Sequence, residues 1–116
     1  MNSKQALGQL GEDIAVRYLE QEGYEIIARN WRDGHREIDI ICRWGPDLIF
    51  VEVKTRRGRT FGMPEESISK SKKRAVMGAA VVFMAQHRHR DIRFDVIAIL
   101  IEKAEPELFH IRDAFS

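Results

Sequence analysis

The sequence predicts an α/β fold: a helix, a three-stranded antiparallel meander, a second helix and a returning strand, with a mixed central sheet flanked by the helices. Three observations predict it. Residues 4–22 carry apolar side chains at helical spacing. Three strand-length segments follow, joined by short glycine-containing turns. A second helical segment then precedes the apolar run Ile92 to Ile101, which must return to the sheet by a crossover.

The first helix is expected from Lys4 to Glu22, with Ser3 as its N-cap and Leu7, Leu10, Ile14, Tyr18 and Leu19 on or near one face. Gly23 stands where a helix C-terminus favours glycine. Gly8 and Gly11 each lose about 1 kcal/mol of helix propensity relative to Ala, which predicts that another backbone approaches there. Tyr24 to Arg32 reads as the first strand, closed by an Asp33-Gly34 turn. Arg36 to Arg43 is the second strand, and Trp44-Gly45-Pro46-Asp47 turns into the third, Leu48 to Thr55, the most apolar of the three. A basic loop, Arg56 to Pro64, leads to a helix that starts between Pro64 and Ser69 and runs to about His87. The strand Ile92 to Ile101 should lie parallel to the third strand through a right-handed connection. A turn over Lys103 to Pro106 and a short strand, Leu108 to Ile111, end the chain.

With 116 residues the chain is expected to form one domain, residues 1–116, with a real core. Its 44% hydrophobic and 32% charged content is that of a folded globular protein rather than a disordered one. No apolar run approaches the roughly 20 residues of a membrane span, and the N-terminus has no apolar signal region. The lone Cys42 excludes an internal disulfide and a multi-cysteine zinc cage. These features predict a reducing, cytoplasmic setting with no membrane partner. Net charge is +1, yet Lys54 to Arg74 alone carries +6, leaving −5 for the rest. A basic cluster of this kind fits a solvated face as well as a polyanion-binding one.

The chemistry concentrates in Glu37-Ile38-Asp39 and Glu52-Val53-Lys54. Charges at the end of the buried run Leu48-Ile49-Phe50-Val51 are costly unless compensated. A hairpin folded about Gly45-Pro46 sets Asp39 opposite Glu52 and Glu37 opposite Lys54. Two carboxylates so placed repel each other but can grip one hard cation, whereas a one-residue slip would part them. Glu12 is a further candidate, because Gly8, Glu12, Ala15 and Leu19 share one helical stripe. Each part also has a structural reading: a surface Glu12, a simple Glu52–Lys54 ion pair, an Asp39 that caps a turn.

The ordered set, Asp39 followed by Glu52-Val53-Lys54, resembles the split motif of the PD-(D/E)xK nuclease superfamily, whose restriction-endonuclease-like core has the same element order. The acidic Glu12 on the first helix resembles an arrangement in archaeal Holliday-junction resolvases. The whole chain is similar to the YraN-like bacterial family. The segments that carry this are Gly8-x-x-Gly11-Glu12, Gly23-Tyr24, Asn30-Trp31-Arg32, Glu37-Ile38-Asp39, Phe50-Val51-Glu52-Val53-Lys54-Thr55-Arg56, Arg93-Phe94-Asp95-Val96 and Ala114-Phe115. One departure is Arg36, where the family usually has Gly.

The resemblance implies a Mg²⁺- or Mn²⁺-dependent endonuclease. Asp39, Glu52 and the Val53 carbonyl would hold the ion, Lys54 would orient or deprotonate the attacking water, and Glu12 would add a contact. Glu37 would be a ligand or a partner of Lys54. Arg56, Arg57, Arg59, Lys70, Lys72 and Lys73 would hold backbone phosphates, DNA being favoured over RNA, with shape rather than base sequence recognised. A two-fold homodimer would suit branched substrates. The alternatives are an inactive nucleic-acid-binding module and an accessory protein with a charged partner interface. Asp95 is expected to be a buried partner of Arg93 or a neighbouring arginine rather than a metal ligand. His35, His87, His89 and His110 show no ligand spacing, the His87/His89 pair being read as solvated, and Trp31 and Trp44 are read as core edge.

Overall fold

The computed structural model describes residues 2–58, 68–102 and 104–116. Its elements are α1 (Ser3–Gln21), β1 (Glu25–Asp33), β2 (Arg36–Trp44), β3 (Asp47–Arg57), α2 (Lys70–Ala85), β4 (Ile92–Ile101) and β5 (Glu107–Phe115). The five strands form one sheet in the order β1-β2-β3-β4-β5. Neighbours are antiparallel except β3 and β4, which run parallel across the α2 crossover. This is the α/β arrangement expected, consistent with a restriction-endonuclease-like core.

Strand alternation divides the core into two layers. Leu48, Phe50, Phe94 and Val96 pack with Val76, Ala79 and Phe83 of α2. Ile49, Val51, Ile97 and Ile99 pack with Ala15 and Leu19 of α1. The central strands are buried on both sides, which is why they read as continuous Ile, Val and Phe runs.

Several local expectations are corrected. Asn2, not Ser3, caps α1: its side chain accepts the Gln5 N–H at 2.8 Å while Gln5 Oε1 accepts the Asn2 N–H, a reciprocal capping box. Gly11 admits a side chain rather than a backbone, since a Cβ there would lie 2.8 Å from Thr55 Cβ and 2.9 Å from Thr55 Cγ2. A Cβ at Gly8 would meet nothing within 4 Å. The last strand is longer than Leu108 to Ile111. It continues past a register shift opposite Phe94/Val96, where Asp113 takes φ 54°, so its apolar alternation is interrupted. The part of the basic loop from Arg59 onward, including the phosphate role given to Arg59, lies outside the described residues, as does Lys103.

Candidate functional site

The β2–β3 hairpin turns at Gly45-Pro46, and the expected register holds from Trp44↔Asp47 to Ile40↔Val51. The ladder stops there, one step short of Asp39 and Glu52. Ile38 packs on the α2 side and Ile40 on the α1 side although they are two residues apart, so the strand's alternation breaks at Asp39. In β1, Asn30, which the β1–β2 register sets across from Asp39, takes φ 50°. Asparagine is among the few residue types that tolerate this left-handed conformation.

Side chains close the gap. The Val53 N–H donates to Asp39 Oδ2 at 2.9 Å, and the Asp39 N–H reaches Glu52 Oε1 at 3.4 Å. Each carboxylate thus serves a backbone donor left open by the splayed strands. Glu52 is only 2% exposed. Burial, reinforced by the Asp39 charge, pushes its carboxyl up to about 8. Burial also raises Asp39, with the Glu37 charge adding to it, while the Val53 N–H and the Lys72 ammonium oppose the shift.

Asp39, Val53 and Lys54 line a cleft of about 460 Å³ with Glu12 and Glu37, and its α1 wall is Lys4, Leu7 and Gly8. Burial, with the neighbouring Arg56 charge, lowers the proton affinity of the Lys54 ammonium. Arg56 and Arg57 complete the cleft at the end of β3. Arg56, Arg57 and Lys70 have no ion-pair partner among the described residues.

The remaining expected residues are placed differently. Glu12, Ala15 and Leu19 are buried on one stripe as their spacing required, but Glu12 Oε1 is bound by Arg29 Nη2 at 3.2 Å and Asn30 Nδ2 at 2.9 Å. Burial and the Asp39 charge raise the Glu12 carboxyl against these contacts. Glu37 is ion-paired with Arg32 at 2.7 Å, not with Lys54, because Arg32 is its direct neighbour in the β1–β2 ladder. Lys72 does not extend outward; its Nζ lies 3.4 Å from Glu52 Oε2. Lys73 Nζ sits 5.7 Å over the Phe115 ring. The Arg36 guanidinium pairs with Asp33 and lies against Gly78 of α2.

Three carboxylates therefore do not converge on one point. Among the described residues no three His, Cys, Asp or Glu side chains gather to hold a metal ion. The donor set that could hold one is the Asp39–Glu52 pair with the Val53 carbonyl. Two hard oxygen groups on neighbouring strands, both with proton affinities raised chiefly by burial, suit Mg²⁺, which usually takes one or two carboxylates and keeps several waters.

On the α1 face, Asp95 is fully buried and accepts from Arg93 Nε and Nη2, both at 2.8 Å, and from the Asp113 N–H at 3.0 Å. The partnership with Arg93 is as expected. His110 is the surprise: its Nε2 lies 2.7 Å from Asp95 Oδ2 and its Nδ1 2.8 Å from the Tyr18 hydroxyl. Burial alone would raise Asp95, but the His110 and Arg93 hydrogen bonds outweigh it and hold the carboxyl below its ordinary range. Arg93-x-Asp95 on one strand face was the available signal, since such a pair demands polar neighbours on the next strand. His87 stacks on Phe83 with centroids 3.8 Å apart instead of standing free, Trp31 packs edge-on against Phe83, and Trp44 is 46% exposed over Tyr24.

The fold and site define an α/β protein with a mixed five-stranded sheet and an acidic pair, Asp39 lining a cleft beside α1 and Glu52 buried against Lys72 of α2. Residues 11–99 match the family described as Uncharacterised protein family UPF0102. A UPF0102 protein of Rhodococcus opacus (strain B4) is 49% identical over 113 residues, 95% of this chain and 96% of its own. Similar proteins occur in Geotalea daltonii, 46% identical over 98% of this chain and 92% of the relative, and in Syntrophomonas wolfei, 38% identical over 94% and 96%. The chain belongs to the UPF0102 family, in keeping with the YraN-like resemblance. Among the described residues, no helix is long and apolar enough to cross a membrane.

Proposed function

We propose that this protein is a metal-dependent endonuclease of the PD-(D/E)xK kind, hydrolysing phosphodiester bonds in DNA with branched or otherwise structured shape. The observation that carries the reading is the pairing of Asp39 with Glu52 at the splayed end of a hairpin, with Lys54 lining the same cleft as Asp39. A bound Mg²⁺ or Mn²⁺ would supply charge stabilisation at a phosphate oxygen and a more acidic water. Asp39, Glu52 and the Val53 carbonyl hold that ion. Lys54, with its proton affinity lowered, orients the attacking water, takes up its proton or balances charge as the phosphate is attacked. Glu12, fixed by Arg29 and Asn30, borders the cleft, where it would add a direct or water-mediated contact to the ion. Arg56, Arg57, Lys70 and Lys73 hold backbone phosphates, which gives affinity without base specificity.

The test is incubation with labelled duplex, single-stranded, flap and four-way-junction DNA in Mg²⁺ or Mn²⁺, with and without chelator. Asp39→Ala and Lys54→Ala serve as controls. Cleavage abolished by chelator and by both substitutions supports the reading. Cleavage that survives both substitutions belongs to a contaminant.

The second reading is a DNA-binding module that does not cleave. The observation favouring it is that Glu12 and Glu37 are both taken up by arginines, leaving a two-carboxylate site. It expects salt-sensitive DNA binding, indifferent to chelator, with no product from any substrate.

A further inference from the structure

We propose that Lys72 is the internal counter-ion of the Asp39–Glu52 pair, and that a divalent cation binds there by displacing its ammonium from Glu52. The inference rests on the metal-dependent reading above.

The geometry begins with the helix. Lys72, Val76, Ala79 and Phe83 share one stripe of α2, and the last three are buried against the sheet. Side chains on a helix tilt toward its N-terminus. A lysine at the head of a buried stripe is therefore carried under the end of the helix, onto the sheet. Lys72 Nζ ends 3.4 Å from Glu52 Oε2, while the other Glu52 oxygen faces the Asp39 N–H. The side chain is 41% exposed, against 3% for Glu52, so the lysine can leave toward solvent while the carboxylate cannot.

Charge placement makes the contact unusual. The first turn of α2 contains no acidic residue and begins with Lys70, Lys72 and Lys73, against the preference of a helix N-terminus for negative charge. Lys72 is in that turn with its ammonium on a carboxylate of β3. An ammonium there does for two crowded carboxylates part of what a metal ion would do. It also repels any second cation that approaches. Displacement relieves that repulsion and frees a cation beside the phosphate to be cleaved.

The experiment is Mn²⁺ titration by calorimetry at constant pH, using the full chain as wild type, Lys72→Met and Asp39→Asn. Thermal unfolding of the first two is followed in EDTA and in saturating Mn²⁺. The proposal expects Lys72→Met to bind Mn²⁺ about tenfold more tightly or better. It also expects Lys72→Met to unfold at a lower temperature than wild type in EDTA, with the gap closing in Mn²⁺. A merely structural ion pair would lower stability equally in both conditions. That result, or unchanged or weaker Mn²⁺ binding by Lys72→Met while the wild type binds through Asp39, overturns the role of Lys72 and leaves the metal reading standing. Absence of Mn²⁺ binding by both wild type and Lys72→Met overturns both.

Discussion

Asp39 and Glu52 are joined through their backbones as much as through their charges. The Glu52 carboxylate accepts the Asp39 N–H, and the Asp39 carboxylate accepts the N–H of Val53, the residue after Glu52. Two acidic side chains are thereby locked to each other's strands where the ladder opens. Their burial, and the crowding it enforces, are built into the hairpin, and the energetic consequences can be measured.

The first consequence is a pH dependence. The Glu52 carboxyl is raised from an ordinary 4.5 to about 8. The folded state therefore holds this proton more tightly than the unfolded state, so stability falls as pH rises between those values. In EDTA, urea unfolding from about pH 5 to about pH 8 should show a declining free energy, by an amount on the order of a few kcal/mol. Glu52→Gln should flatten the decline, and a pH-independent wild type would contradict it.

Lys54→Ala should slow single-turnover cleavage of the best DNA substrate by about 10²–10⁴-fold, the usual contribution of a positioned acid–base group. Its effect on DNA affinity should be small beside that. A fall in affinity that accounts for the whole rate loss would make Lys54 a phosphate contact only.

Arg56→Ala and Arg57→Ala should each weaken DNA binding uniformly across sequences. Each should reduce the slope of log affinity against log salt by about 1. Fluorescence anisotropy over a salt series reads this directly, and an unchanged slope would remove the residue from the interface.

Asp95→Ala should be among the most destabilising single changes in the chain. It leaves the Arg93 guanidinium and the His110 Nε2 without their acceptor and opens the Asp113 N–H. Breaking a buried pair in this way costs about 3–5 kcal/mol, measurable as a shift in the urea midpoint. The cleft lies elsewhere, so DNA affinity measured on the folded fraction should be preserved.

Gly11→Ala should destabilise by roughly 1–3 kcal/mol through overpacking, because the new methyl meets the branched Thr55 side chain. Thr55→Ala in the same chain should recover most of the loss. The comparison Gly8→Ala faces open space and should leave stability unchanged or slightly raised.

The parts legible from the chain alone were those governed by local rules. Periodicity located both helices and the four strands that precede the last, and counting outward from the Gly45-Pro46 turn set the hairpin register. That register is why Asp39 and Glu52 could be placed side by side from residue counting. The stripe through Glu12, Ala15 and Leu19 was readable for the same reason, since a helix carries its period wherever it packs. The end of β5 was not, because the left-handed Asp113 interrupts the alternation that would have shown it.

What only the tertiary structure decided was which cation meets which carboxylate. Glu12 went to Arg29, Glu37 to Arg32 and Glu52 to Lys72, and His110 joined the expected Arg93 on Asp95. A chain with so many lysines and arginines offers every acid several partners of equal chemical merit. Turn and helix preferences reach a few residues along the backbone and cannot choose among them. The choice is made when helices dock on the sheet, because packing of the apolar stripes fixes where each charged end must lie.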